Sequence, residues 1–143
     1  LRKDIVREIR RSRPDRMLIQ SPERNYDRIF ASHPDHLAAG ETALQAVYPD
    51  SRNPFAFTDL MADGFEPYRV REVWMTGTPN ANHFVDVTDT FEKKIAALHA
   101  HASQTAHNKE MAAMVRAWGE RNAASQGLAE GRLAEIFRVI NTD

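Results

Sequence analysis

A chain of 143 residues is long enough for one sizeable core and too short for two ordinary domains. Its 42% apolar and 27% charged residues are those of a globular protein. No apolar run approaches the roughly 18 residues that span a bilayer, and Leu1-Arg2-Lys3-Asp4 opens no signal peptide. Zero cysteines exclude disulfides and thiolate metal sites, which fits a cytoplasmic location.

The net charge of −1 hides a basic head: residues 1–28 hold nine Arg/Lys against five Asp/Glu. A basic head can mark a nucleic-acid surface. Here acids and bases interleave (Arg2-Lys3-Asp4, Arg7-Glu8, Pro14-Asp15-Arg16), as on a solvated helix face, so no nucleic-acid partner is expected. Leu1, Ile5, Val6 and Ile9 form an apolar stripe that predicts a helix over 1–12. The stripe starts at Leu1 with no cap before it, so the chain is expected to be a piece of something longer. Arg13-Pro14-Asp15 ends the helix. Met17-Leu18-Ile19-Gln20 then reads as a strand buried on both faces, as in a parallel sheet.

A polar loop runs from Ser21 to Ser32, and a helix is predicted over about 33–48, with Leu37, Ala38, Leu44 and Val47 towards the core. Ser32 is the candidate N-cap, Asp35 the capping-box partner, and Pro34 suits the first turn. Gly40 inside this helix costs about 1 kcal/mol relative to alanine, which implies a close helix–sheet contact. Tyr48 to Pro67, rich in Pro, Asn, Asp and Gly, reads either as a functional lid or substrate wall or as a surface excursion.

Val70–Met75 and Phe84–Val87 read as strands around a turn at 78–82. Thr88 or Asp89 caps a helix striped by Phe91, Ile95 and Leu98. A further helix carries Met111, Met114, Val115 and Trp118, and Leu133–Ile140 closes the chain as a strand. Short apolar strands alternating with helices predict an α/β, Rossmann-like layered fold with a mostly parallel sheet.

In open α/β sheets, ligands sit beyond the carboxyl ends of the strands. His33-Pro34-Asp35-His36 follows the first strand and its loop, so both imidazoles fall on the ligand side, three apart on one helical face. The other reading is a helix cap that happens to bear histidines. A hydrolytic metal site needs three protein ligands, a water, a carboxylate base and an oxyanion donor. His36 can ligate, and His33, oriented by Asp35, can be the donor. Arg24 and Arg28, in the same loop, could hold an anionic group such as a phosphate. His83 follows a turn and could face the site. His99 and His107 read as surface residues, and His101 and Gln104 as a packed or hydrogen-bonded helix element.

Five ordered segments extend the pattern: Ile9–Asp15, His33–Gly40, Val85–Thr88, Lys94–Gln104 and Ala134–Phe137. Together they resemble the GlcNAc-phosphatidylinositol de-N-acetylase, or LmbE-like, family. That resemblance implies a Rossmann-like domain that uses zinc or another divalent metal to remove acetyl groups from N-acetylglucosamine-type sugars. It implies that His36 is a metal ligand, that His33 stabilises the tetrahedral intermediate or acts as acid, and that Asp35 holds the His33 ring. The family's early Ala-His-Pro-Asp-Asp motif, which supplies two ligands and the base, does not occur in these residues. The resemblance therefore implies that residues 1–143 are the C-terminal portion of a single such domain, expected alone to be catalytically incompetent and to hold metal weakly or not at all. The resemblance also implies a hydroxyl-bearing aromatic shortly before the histidine motif, and Tyr26, seven positions before His33, is not assigned that role. The rival readings are a non-catalytic α/β module binding a sugar or partner chain, and a nucleic-acid-binding domain using the basic head.

Overall fold

The computed structural model describes residues 1–143, the side chain of Ala31 excepted. Helix α1 (Arg2–Ser12) leads into strand β1 (Arg16–Gln20), followed by α2 (Pro34–Val47), α3 (Thr58–Ala62) and β2 (Glu72–Thr76). Then come β3 (His83–Asp86), α4 (Phe91–His99), α5 (Ala102–Thr105), α6 (Met111–Ser125) and β4 (Ala134–Asn141). The α/β class holds. The strands form one four-stranded sheet in the order β1-β2-β4-β3.

The sheet is mixed rather than mostly parallel. β1 and β2 run parallel with Leu18 opposite Trp74, whereas β2 and β4 run antiparallel with Val73 opposite Ile140. The order of short apolar strands along a chain carries no direction for the last one. β1 is also an edge strand among the described residues, and Leu18 is 62% exposed. Only Ile19 of β1 is buried, so the expectation of burial on both faces fails. No helix is long and apolar enough to cross a membrane.

The chain divides into two compact units, Leu1–Asn82 with Phe137–Asp143, and His83–Ile136. The first unit is built on Val6, Ile9, Ile19, Ala43, Ala46, Val47, Leu60, Val70, Val73 and Met75. Leu1 stands outside this core, exposed at the N-cap of α1. On α2 the core face is Gly40, Ala43, Ala46 and Val47, with Leu44 partly buried and Ala38 exposed. Small residues win that face because the helix lies close on β1. A Cβ on Gly40 would sit 2.9 Å from the Pro22 nitrogen and closer still to the Gln20 carbonyl oxygen. The predicted tight helix–sheet contact is therefore real, and its second wall is backbone that cannot move aside.

The segment 48–67 is not a loose excursion. Leu60 is fully buried, Phe57 and Phe65 pack against the core, and the segment includes α3. Arg10 explains how so polar a stretch is held. Its side chain, only 2% exposed, donates from Nε to the Ser51 carbonyl (3.2 Å) and from Nη2 to those of Asp50, Asn53 and Ala56 (2.9–3.1 Å). A guanidinium offers five donors in a rigid fork, so one side chain can satisfy several loop carbonyls that helices and strands leave unpaired.

The second unit packs Phe91, Ile95, Met111, Val115 and Leu133. Met114 and Trp118, expected in the core, are instead 39% and 42% exposed. The buried residues of α6 are Met111, Val115 and Ala123, and half-buried Gly119 on the same face leaves room for the Leu133 side chain, 3.2 Å from where a Cβ would be. Helix α4 starts after a single 3-10 turn at 88–90, and its N-cap is Thr90, with no side-chain cap bond, rather than Thr88 or Asp89.

Two stability outcomes follow from these contacts. Gly40→Ala should cost about 2 kcal/mol, the usual range for overpacking against an unyielding wall, read as a lower urea midpoint with unchanged slope. Arg10→Ala should cost about 3 kcal/mol by stranding buried carbonyls. Arg11→Ala, at an exposed pair with Glu8, should change stability by less than about 0.5 kcal/mol. Equal costs for the two arginines would refute the role given to Arg10.

Candidate functional site

The close seat of α2 on β1 pushes the helix N-terminus past the carboxyl end of the strand. Ser21, the first residue after β1, still donates its N–H to the Thr76 carbonyl at the end of β2 (2.9 Å). The loops that follow the two parallel strands thus leave the sheet side by side. His33 and His36 stand on that side, both exposed, with ring centroids 5.9 Å apart and planes tilted by 58°.

The N-cap of α2 is His33, not Ser32. His33 Nδ1 accepts the Asp35 backbone N–H at 3.3 Å. Ser32 is buried and turned back into the loop, where its Oγ accepts the Asn25 N–H at 2.7 Å. Asp35 does not close a capping box, since the Ser32 N–H goes to the Ile29 carbonyl. The consequence is chemical. A ring nitrogen that accepts a hydrogen bond carries no proton, so the neutral His33 ring holds its proton on Nε2. The carboxylate of Asp35 lies 3.6 Å from the same Nδ1 and becomes its partner only if that nitrogen is protonated and the cap bond is given up.

His36 sits one turn along α2 and its ring nitrogens have no hydrogen-bond partner among the described residues. Nothing blocks it from ligating. Among the described residues, however, no three His, Cys, Asp or Glu side chains gather where they could hold a metal ion. The described side chains by themselves therefore do not assemble a three-ligand centre.

The remaining histidines lie in the other unit: His83 opens β3, and His99, His101 and His107 are exposed, as is Gln104. The packed reading of His101 and Gln104 fails for their side chains, although the Gln104 N–H does bond the His101 carbonyl (2.9 Å). Arg24 and Arg28 are exposed in the 21–32 loop, and Arg28 lies over the Phe30 ring at 5.1 Å.

One residue that the sequence reading passed over is central. Glu23 accepts from Thr78 Oγ1 (2.6 Å) and Asn80 Nδ2 (2.9 Å), and from Ser21 Oγ (3.3 Å). It ties the loop after β1 to the loop after β2. The Thr78 hydroxyl first, then the Asn80 amide, hold its carboxyl below the usual glutamate range, against a smaller opposing effect of burial. The partners lie 55 and 57 positions away, so no local pattern exposes them; only a glutamate so soon after a strand hinted at a role.

No protein-family model matches the chain. Over 104 residues, 73% of its length, it is 36% identical to the diacetylchitobiose deacetylase of Thermococcus kodakarensis, of which the match covers 37%. The N,N′-diacetylchitobiose deacetylase of Pyrococcus horikoshii superposes with a TM-score of 0.84 at 27% identity, over 98% of this chain and 51% of that one. The 4-carboxy-2-hydroxymuconate hydratase of Pseudomonas putida KT2440 gives a TM-score of 0.64 at 19% identity, covering 99% of this chain and 60% of that one. The last likeness is one of fold alone. The chain spans about two fifths of the curated relative and half of the solved deacetylase.

The Glu23 clamp has a definite pH signature. A carboxyl whose folded value is depressed adds stability above its unfolded value and loses it as pH falls through the folded one. Glu23→Gln should therefore be less stable than wild type at pH 7, with the gap closing below the ordinary glutamate range. Urea midpoints measured from pH 7 down to pH 3 check this, and a gap constant with pH would count against the clamp.

Proposed function

We propose that this chain, a homologue of the LmbE-like diacetylchitobiose deacetylases, supplies the oxyanion side of a metal-dependent N-deacetylase centre. Its substrate would be the acetamide of an N-acetylglucosamine-type sugar. The observation that carries the reading is the His33 cap bond. It commits Nδ1 to the backbone and leaves the Nε2 proton open to solvent beside the His36 ring, at the carboxyl end of β1.

Amide hydrolysis adds water to the acetyl carbonyl, passes through a tetrahedral oxyanion, and breaks the C–N bond to give acetate and amine. His33 donates a hydrogen bond from Nε2 to the carbonyl oxygen as its charge develops and keeps that proton, while the base that takes the water's proton delivers it to the departing nitrogen. Asp35 holds the ring through its backbone N–H on Nδ1, which keeps the Nε2 proton turned to the substrate side. His36 is assigned as one imidazole ligand of Zn2+ or another divalent ion, which when bound lowers the pKa of its water to roughly 7. The base and the other ligands are not among the described side chains near this pair. The whole enzyme's activity thus requires groups beyond these, and the chain alone is expected to release no acetate.

A second reading, a sugar-binding module without catalysis, draws on that same lack of a third donor. The two separate in a chimera that joins this chain to the portion of the Thermococcus deacetylase it does not match. The proposal expects acetate release from N,N′-diacetylchitobiose, a kcat about 10²–10³ lower in His33→Ala, the usual loss for one oxyanion donor, and loss of bound zinc in His36→Ala. A folded chimera that binds zinc but leaves the disaccharide intact, or one indifferent to His33→Ala, would contradict it.

A further inference from the structure

Three large apolar side chains stand in the open on the loop that leads to His33. Tyr26 is 83% exposed, Phe30 74% and Ile29 58%. Single exposed apolar residues need no explanation, but a cluster within five positions marks an interaction surface. Mobility does not account for it, because the loop is tied down along its length. Glu23 is held by Thr78, Asn80 and Ser21. The Asn25 N–H is held by buried Ser32, and Asn25 Oδ1 accepts the N–H groups of Asp27 and Arg28 (3.1 and 3.0 Å). Arg28 lies over Phe30 at 5.1 Å and fixes the attitude of that ring. The loop backbone is thus ordered while these side chains face water.

From this we infer that residues 24–30 form a preformed platform for a pyranose ring, a binding subsite that extends the His33–His36 site to a second sugar unit. The inference rests on the deacetylase reading for the identity of the sugar. The chemistry of the surface selects that occupant. A β-linked pyranose presents an apolar face of C–H bonds that packs on an aromatic ring, and hydroxyls at its rim that need donors and acceptors. Tyr26 and Phe30 supply ring faces, while Arg24, Arg28 and the Tyr26 hydroxyl supply polar partners around them. The platform is continuous with the candidate site, since Ser32, which anchors the loop, is bonded directly to His33 along the chain. A loop ordered before binding pays little further entropy when it binds, which is what a weakly held sugar requires.

The test is a backbone and histidine side-chain NMR titration of the 143-residue protein with N,N′-diacetylchitobiose and, separately, with N-acetylglucosamine. The disaccharide should shift the amides of residues 24–30 and bind more tightly than the monosaccharide. The double variant Tyr26→Ala/Phe30→Ala should weaken disaccharide binding about tenfold while leaving monosaccharide binding nearly unchanged. Both positions are exposed, so the variant should keep the wild-type urea midpoint. Wild-type affinity for the disaccharide in the double variant would overturn the platform. So would unmoved 24–30 amides, or a self-association of the wild type that the variant abolishes. The histidine signals separate this from the parent reading. Shifts at His33 and His36 without shifts at 24–30 remove the platform alone. Shifts at 24–30 without any at the histidines leave a sugar-binding surface but overturn both its place as a subsite of the His33–His36 site and the deacetylase assignment.

Discussion

Everything at the carboxyl end of β1 depends on how closely α2 can lie against the strand. At Gly40 the helix backbone and the Gln20–Pro22 backbone approach so nearly that no side chain fits between them. Ala43, Ala46 and Val47 carry the same close contact along the helix. Because the helix axis is fixed there, its N-terminus is fixed too, about two turns before the contact. His33 then falls at the cap position, and the cap bond from Asp35 N–H settles which of its nitrogens keeps a proton. A packing constraint is in this way converted into a protonation pattern.

Two polar side chains carry the parts of the first unit that regular structure does not. Arg10 spans from α1 to the carbonyls of 50–56 and lets a proline- and asparagine-rich stretch contribute Leu60 to the core. Glu23 does the corresponding work at the sheet's ligand end, where it binds two loops that leave adjacent strands. Arg10 at its loop carbonyls and Glu23 at the buried Thr78 hydroxyl satisfy groups that would otherwise lie unpaired in a partly dry interior, which costs about 1–3 kcal/mol per group. Neither depends on exposed ion pairs such as Arg11–Glu8 or Arg7–Asp4, which solvent screens.

What was legible in the chain is what is local. Periodicity placed α1, α2, α4 and α6 close to where they stand, and glycine within α2 foretold the tight seat on the sheet. The His33–His36 pair was legible because both residues lie on one helical turn. What escaped was set by distant partners. The direction of β4, the open edge at Leu18 and the stripe of α6 around Gly119 each depend on a neighbour remote in sequence. Ser32 has the right side chain for a cap, yet it serves the loop, because Asn25 offers a donor that no local rule would count. Glu23 was missed for the same reason, and so was the ordered character of 48–67, which hangs on an arginine some forty residues earlier.

The central claim is that the α2 cap fixes the neutral His33 ring with its proton on Nε2. Long-range ¹H–¹⁵N correlation spectra of the imidazoles, recorded where the rings are neutral, test it directly. An unprotonated Nδ1 and a protonated Nε2 at His33 is the result expected. A ring carrying its proton on Nδ1, or exchanging freely between the two, would contradict the account.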